Sequence, residues 1–388
     1  MSREVVVVGA GIVGASVARE LVGTGFGVRV LERDLGPARG STALAPGFVG
    51  LHNDAPVLTD LARSSLAAYR SMPEGFASTG GLEVATSPEG VRELERRAAA
   101  ARSAGLPAEV EEAAALPAAV RSFVDVDQVL AAAWFPADGV AVPVELTRAV
   151  REVAVAGGAR FEHGEAVTGI EGVAGGIQVS TASGRRLVAD DVVLAGGVWG
   201  PGLARLTGVD LPLVPVSHPY VYAAADARHA PGPFVRWPEH HVYARVHVDR
   251  LGIGSYDHLP VPVDEVALRE GAGLPWDVRF DPVVARARQL LRAEARSDAQ
   301  LRVNGVFAMT PDNLPFLGPH PDLPGVWMAQ AIWVTHAGGA AVALAAALRD
   351  GTGLPPELAT DRFAGRGADE LRASALRLYR DIYAHDAR

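Results

Sequence analysis

The sequence predicts an α/β fold, α+β overall, in which a parallel-sheet domain carries an inserted domain built on a mixed sheet. Three observations support this. The chain opens Arg3-Glu-Val-Val-Val-Val-Gly9-Ala-Gly11-Ile-Val-Gly14, then runs through a helical stretch into a second strand ending at Glu32. Over residues 165–193 small apolar and polar residues alternate between glycine-rich turns, as in a β-meander. From Leu211 the pattern changes to long strand-like stretches with His and Tyr at alternate positions, as one wall of a pocket would carry them.

The opening run reads as a Rossmann-like βαβ unit. The four valines form a buried strand. Gly9 permits a tight turn, Gly11 lets a pyrophosphate approach the backbone, and Gly14 packs helix on strand. Residues 15–21 form the helix, whose N-terminus offers free N–H groups and positive dipole to phosphates. Residues 27–31 form the second strand. Glu32, 18 residues after Gly14, can accept hydrogen bonds from a ribose and argues against a 2′-phosphate. Strand, turn, helix, strand and acid in this order predict a dinucleotide site. Residues 5–18 are also apolar enough for a signal peptide, but only Arg3 precedes them and the glycine spacing has the better explanation.

The later elements follow in order. Residues 89–116, rich in Ala, Glu and Arg, read as exposed helices. Residues 144–157 read as an amphipathic helix stopped by Gly157-Gly158, and 160–163 as a short strand. Residues 192–197 read as a buried strand ending in glycines, where backbone can approach a ligand. Stretches 218–222, 241–248 and 252–256 are strands, and 279–296 a helix. From Asn304 the chain returns to strand, turn, strand and a Gly- and Ala-rich helix. The apolar part of that helix, residues 337–348, suits burial and is too short to span a bilayer. The nucleotide domain is therefore discontinuous, at 1–88, 139–210 and 300–388, with 89–138 and 211–299 forming the second domain.

With 388 residues the chain can bury the cores of about two domains. It has no cysteine, which excludes disulfides, thiol catalysis and iron–sulfur clusters and fits a reducing cytoplasm. It also has no lysine, so no Schiff-base or P-loop lysine is available. A net charge of −9 with scattered arginines argues against nucleic-acid binding, and no apolar run argues for a membrane. A metal site is not expected. His240 and His241 point to opposite faces of a strand, and no carboxylate–histidine set has ligand spacing.

Four motifs are shared with a known group: Gly9-Ala-Gly-Ile-Val-Gly14, Gly40-Ser-Thr-Ala-Leu-Ala-Pro-Gly47, Arg250-Leu-Gly-Ile-Gly-Ser-Tyr256, and Thr310-Pro-Asp-Asn-Leu-Pro-Phe-Leu-Gly318 followed by Ile332-Trp-Val-Thr-His336. Over nearly all its length the chain resembles the D-amino-acid-oxidase-like flavoproteins, and within them the sarcosine and dimethylglycine dehydrogenase/oxidase branch. The resemblance implies a Rossmann-like FAD-binding domain, an inserted substrate domain, and oxidation of a C–N bond in an N-substituted amino acid. It implies that FAD is met by Gly9, Gly11, Ile12, Val13 and Gly14, then Glu32 and Arg33, and then Ser41, Thr42, Leu44, Ala45 and Pro46. Farther along the chain it adds Val167, Gly196, Trp199 and Asp312, and finally Trp333, Thr335, His336 and Gly338. Many relatives carry flavin covalently on a histidine where this chain has Leu44, so non-covalent FAD is expected. Folate-handling relatives have a long C-terminal half. This chain ends at Arg388, so folate channelling is not expected.

Oxidising an amine requires it to be neutral, and a nearby base with a pKa near neutral would take its proton. His218 and Tyr243 match pocket positions in relatives. The substrate carboxylate calls for a guanidinium, and Arg245 is a candidate because residues two apart on a strand share a face with each other, here Tyr243 and Arg245. His240, His241, His247 and His258 read as surface or packing residues. Trp333, Thr335 and His336 precede a helix whose positive end would face the flavin pyrimidine. The expected reaction yields an imine that hydrolyses to an amine and an aldehyde. The substrate would be a glycine derivative or an N–N-substituted analogue. Oxygen or a carrier protein could take the electrons, a non-catalytic flavin-binding subunit is the alternative, and the oligomeric state is open.

Overall fold

In a computed structural model, which describes residues 3–36, 39–265 and 267–383, the opening strand Arg3–Val8 lies inside a six-stranded sheet. Its order is Phe316–Pro319, Val326–Gln330, Asp191–Leu194, Arg3–Val8, Phe26–Glu32, Arg160–His163. All neighbours are parallel except the first pair. Both faces are covered, which explains why the valine run does not alternate with polar residues. Val5 and Val7 face helix Ile12–Leu21 and the small-residue helix Val334–Asp350. Val6 and Val8 face the meander Val167–Val173, Gly176–Thr181 and Arg186–Ala189. Each such fully buried side chain contributes roughly 1.5–3 kcal/mol of apolar transfer.

The second sheet has nine strands and is mixed. From one end it runs Val261–Pro262, Val214–Ala225, Arg250–Ser255, Val242–His247, Phe234–Trp237, Gly81–Ala85, Ala131–Phe135, Glu109–Glu111, with Leu301–Met309 on the other edge of Val214–Ala225. Among the described residues its one parallel pairing joins Phe234–Trp237 to Gly81–Ala85. The expected divisions after residues 88 and 299 therefore cut this sheet. Residues 81–85 and 301–309 hydrogen-bond into it, so it begins near residue 81 and ends near 309.

Two helix expectations are corrected. Helix Pro88–Ser103 forms, but the chain then turns into the edge strand Glu109–Glu111, where Val110 between two glutamates has strand alternation. The helix expected over 279–296 is only Asp281–Ala287, followed by two short 3-10 turns. Its apolar spacing is helical, but Leu291 turns extended to bridge Val124, which ends the helix. Among the described residues no helix is long and apolar enough to cross a membrane.

Candidate active site

A cavity of about 650 Å³ begins at the carboxyl ends of the parallel strands and ends against the nine-stranded sheet. At the first end the turn after Arg3–Val8 is set by glycines. Gly9 has φ +107°, and a Cβ on Gly14 would lie 1.9 Å from the Gly9 carbonyl oxygen. Gly14 is thus a packing residue and does not itself line the cavity. A Cβ on Gly11 would meet only Thr42 Oγ1, at 3.3 Å, on the cavity wall.

Three features show that a dinucleotide fits here. Helix Ile12–Leu21 has the side-chain-free Gly11 at its N-cap, so its dipole and the N–H groups that follow Ile12, which itself donates to Thr42, are available to an anion. Glu32 is held at the cavity by the N–H groups of Ala10 and Asp34, at 2.8 and 3.1 Å, and each oxygen keeps a lone pair for a ribose hydroxyl. The Arg33 guanidinium lies 3.9 Å from the Trp199 ring, and its Nη2 is buried without a hydrogen-bond partner.

The 3-10 turn Ser41–Ala43 closes this end. Ser41 Oγ donates to the Val306 carbonyl at 2.7 Å, and Thr42 Oγ1 accepts from Ile12 N–H at 3.3 Å. Ile12, Val13, Leu44, Ala45, Pro46, Val167 and Gly196 also line the cavity, as do Trp333 and Thr335 at the start of helix Val334–Asp350.

Besides Gly14, three more expected cofactor contacts are not on the wall. Asp312 accepts from Arg362 at 2.8 and 3.0 Å and from Leu314 N–H, which makes it a loop clamp. Neither His336 nor Gly338 lines the cavity. His336 is buried, which pulls its pKa down to about 4, and Gly338 donates its N–H to the Tyr69 hydroxyl on helix Pro56–Arg70.

The other end is aromatic. His218, Tyr220, Phe234, Tyr243, Tyr256 and Phe307 all face the cavity. His218 is 3% exposed, with its ring parallel to that of Tyr243. Its Nε2 lies 2.5 Å from the Tyr243 hydroxyl. Burial, helped by His258, holds the His218 pKa well below its usual value, so the ring is neutral. Burial also pushes the Tyr243 hydroxyl well up, so it stays protonated.

Arg245 does not reach this pocket. Two residues along the strand from Tyr243, it passes behind the chain at Pro46 and Ala141 and donates to both carbonyls, at 2.9 and 2.8 Å. An arginine that does reach it is Arg236, which the sequence reading missed. Arg236 sits on the same strand face as Phe234 and lies 4.3 Å from the Phe48 ring. The alternation Phe234-Val-Arg236 was the signal, since Phe234 and Arg236 must share a face.

Arg236 belongs to a charged cluster. The fully buried Glu83 forms an ion pair with Arg236 at 2.5 Å and accepts from Arg97 at 2.6 and 2.8 Å. Burial alone would raise the Glu83 carboxyl, but Arg236 and Arg97 outweigh it and hold it at about 2. The nearby Asp138 is raised to about 7, chiefly by burial. Two guanidinium groups thus share one firmly ionised carboxylate, leaving positive charge on the cavity wall.

Comparison with known proteins places this geometry. The profile of the FAD dependent oxidoreductase (DAO) family matches residues 4–347. The chain is 28% identical to mitochondrial sarcosine dehydrogenase of Mus musculus over 346 residues, which cover 84% of this chain and 37% of that protein. It is 27% identical to mitochondrial dimethylglycine dehydrogenase of Rattus norvegicus over 364 residues, 87% of this chain and 42% of that protein. It therefore spans about two fifths of the length of these curated relatives. The crystal structure of L-proline dehydrogenase from P. horikoshii superposes with a TM-score of 0.83 at 23% identity, covering 93% of this chain and 98% of the other, which shows the shared fold.

Proposed function

The chain belongs to the FAD dependent oxidoreductase family, and from that premise we propose that it oxidises the C–N bond of a secondary or tertiary N-substituted amino acid. The substrate is a glycine derivative of the sarcosine or dimethylglycine type, or an N–N-substituted analogue. The product imine hydrolyses to a shortened amine and an aldehyde.

The observation that carries this reading is the pairing of groups at the aromatic end of the cavity. A surplus guanidinium, Arg236, and a neutral imidazole, His218, suit the two poles of an amino acid. Arg236 binds the carboxylate while remaining anchored to Glu83. Tyr243, backed by His218, receives the ammonium proton and leaves the nitrogen lone pair available to assist C–H cleavage. The surrounding aromatic rings exclude water and favour the neutral amine. FAD, when bound, would supply the two-electron acceptor. It would be held by the helix N-terminus beside Gly11, by Glu32, and by the stacked Arg33 and Trp199.

The test is an anaerobic titration of the flavin-loaded protein with N-methylglycine, N,N-dimethylglycine and longer N-alkyl glycines. Bleaching of the flavin spectrum with release of the matching aldehyde is expected. A flavin that none of them bleaches would sink the proposal in favour of a flavin-binding subunit without catalysis. Leu44 faces the cavity without a nucleophile, so acid precipitation should leave the flavin in the supernatant.

A further inference from the structure

Neither ring nitrogen of His218 is free. Nε2 lies 2.5 Å from the Tyr243 hydroxyl and Nδ1 2.6 Å from the Tyr379 hydroxyl. The Tyr379 oxygen continues the chain to Nε2 of His258 at 2.9 Å, with the Ser217 carbonyl a longer contact at 3.2 Å. His258 Nδ1 lies 2.8 Å from the Leu259 carbonyl. Tyr243 and His218 line the cavity, whereas His258 is partly exposed on the outer surface between the exposed Asp257 and Leu259.

The direction of these bonds follows from proton inventory. A hydroxyl has one proton, and a neutral imidazole has one donor and one acceptor nitrogen. The Leu259 carbonyl can only accept, so the His258 proton sits on Nδ1 and its Nε2 accepts from Tyr379. Tyr379, having donated, accepts from His218 Nδ1–H. His218 Nε2 then accepts from Tyr243. Every bond along the chain points the same way, from cavity to surface, with the Ser217 carbonyl a second, longer acceptor for the Tyr379 proton.

We infer that Tyr379 and His258 complete a proton path that carries the substrate's ammonium proton from Tyr243 and His218 to solvent. The inference rests on the amine-oxidation reading above. The ammonium N–H gives its proton to the Tyr243 oxygen while the Tyr243 proton moves to His218 Nε2. The His218 Nδ1 proton moves to Tyr379, and the Tyr379 proton moves to His258 Nε2. The nitrogen of the substrate keeps its electron pair, each hydroxyl loses one proton and gains one, and His218 changes tautomer. His258 becomes an imidazolium and releases one proton to water.

The surroundings suit that release. His258 is faced by Asp257, by Asp277 and Arg279 at the turn Val278–Phe280, by Arg286 on helix Asp281–Ala287, and by Tyr379 on helix Ala368–Arg380. Burial lowers its pKa, the Leu259 carbonyl and Asp257 oppose this, and Arg279 and Arg286 add to it. The net value lies below the usual one, so a proton arriving there is passed on. His218 is enclosed by Tyr243, Tyr256, Phe307, Tyr379 and the His258 ring, and among the described residues none of these ring neighbours is a carboxylate that would trap the proton midway.

The experiment uses the flavin-loaded protein and a substrate that bleaches it, in anaerobic stopped flow, following flavin reduction together with a pH-indicator dye. Tyr379→Phe keeps the ring and removes the hydroxyl. His258→Ala alters only the partly exposed end of the path. At pH below the amine's pKa both variants should slow proton release and flavin reduction by roughly 10²-fold, the low end of the span for lost acid–base catalysis. At high pH, where the amine arrives neutral, both should converge on the wild-type rate, and added imidazole should rescue His258→Ala. A loss of equal size at every pH, or no loss in either variant, overturns the path. A wild-type flavin that no N-substituted amino acid bleaches overturns the functional reading instead, and this inference with it.

Discussion

At the nucleotide end of the cavity, Gly9, Gly11, Glu32 and Thr42 come from one short stretch of chain and meet through local turns. At the aromatic end, His218 and Tyr379 are 161 positions apart, and Arg236 and Glu83 sit on different strands of one sheet. The first end can be deduced from spacing, because the glycines and the acid act through backbone geometry. The second depends on which strands pair and how far each side chain reaches. This difference predicts different failures: substitutions at the first end should cost folding or cofactor, and substitutions at the second should cost chemistry while the flavin stays bound.

The sharpest division falls inside the glycine motif. Gly14→Ala drives a methyl group against the Gly9 carbonyl. It should destabilise the fold by about 3 kcal/mol or more, the upper range for overpacking, read as a fall in melting temperature even without flavin. Gly11 has φ −66°, which any residue adopts. Gly11→Ala should therefore melt like wild type when stripped of flavin, yet bind little FAD when reconstituted. Full flavin occupancy in Gly11→Ala would remove the distinction between the two glycines.

At the aromatic end the largest effect belongs to His218→Ala. Flavin reduction should slow by roughly 10²–10⁴-fold, the usual span for lost acid–base catalysis. The sign of the pH dependence is set by the substrate. His218 is already neutral because burial lowers its pKa, so the deficit should shrink as pH rises and the amine arrives unprotonated. Flavin content, measured by absorbance, should match wild type. Loss of flavin along with activity would break the proposed separation of the two ends.

The two arginines give a smaller and more selective contrast. Arg236→Gln removes the proposed carboxylate partner but leaves Glu83 bound to Arg97. A charged hydrogen bond is worth about 1.5–3 kcal/mol, so substrate affinity should weaken by roughly 10- to 150-fold. Arg245→Met instead strands the Pro46 and Ala141 carbonyls. It should lower the melting temperature and leave the affinity for substrate nearly unchanged. Reversed results would return the carboxylate to Arg245.

The smallest effect is expected for Glu32→Gln. The side-chain oxygen can still accept, and only the charge on a ribose contact is lost, a change of about 1 kcal/mol in FAD affinity. Isothermal titration of the stripped protein with FAD would measure it. A loss as large as that of Gly11→Ala would mean that Glu32 also orders the turn, through its bonds to Ala10 and Asp34.

By itself the sequence determined the βαβ unit, the turn at Gly9 and the helix-to-strand packing at Gly14, the position of the acid Glu32, the meander, the strand positions of His218 and Tyr243, and the lack of a nucleophile at Leu44. These are properties of neighbouring residues and of period-two or fixed spacing, and they survive whatever the rest of the chain does. Tertiary structure decided the rest. It turned Arg245 into a staple of the Pro46 and Ala141 carbonyls and put Arg236, ion-paired with Glu83, on the cavity wall. It made Asp312 a partner of Arg362 and left His336 and Gly338 off the cavity wall, with Gly338 packed against helix Pro56–Arg70. It also placed Tyr379 between His218 and His258, a meeting fixed by where helix Ala368–Arg380 docks on the nine-stranded sheet. Spacing along a chain sets which side chains share a face, but only the packing of distant elements sets what that face meets.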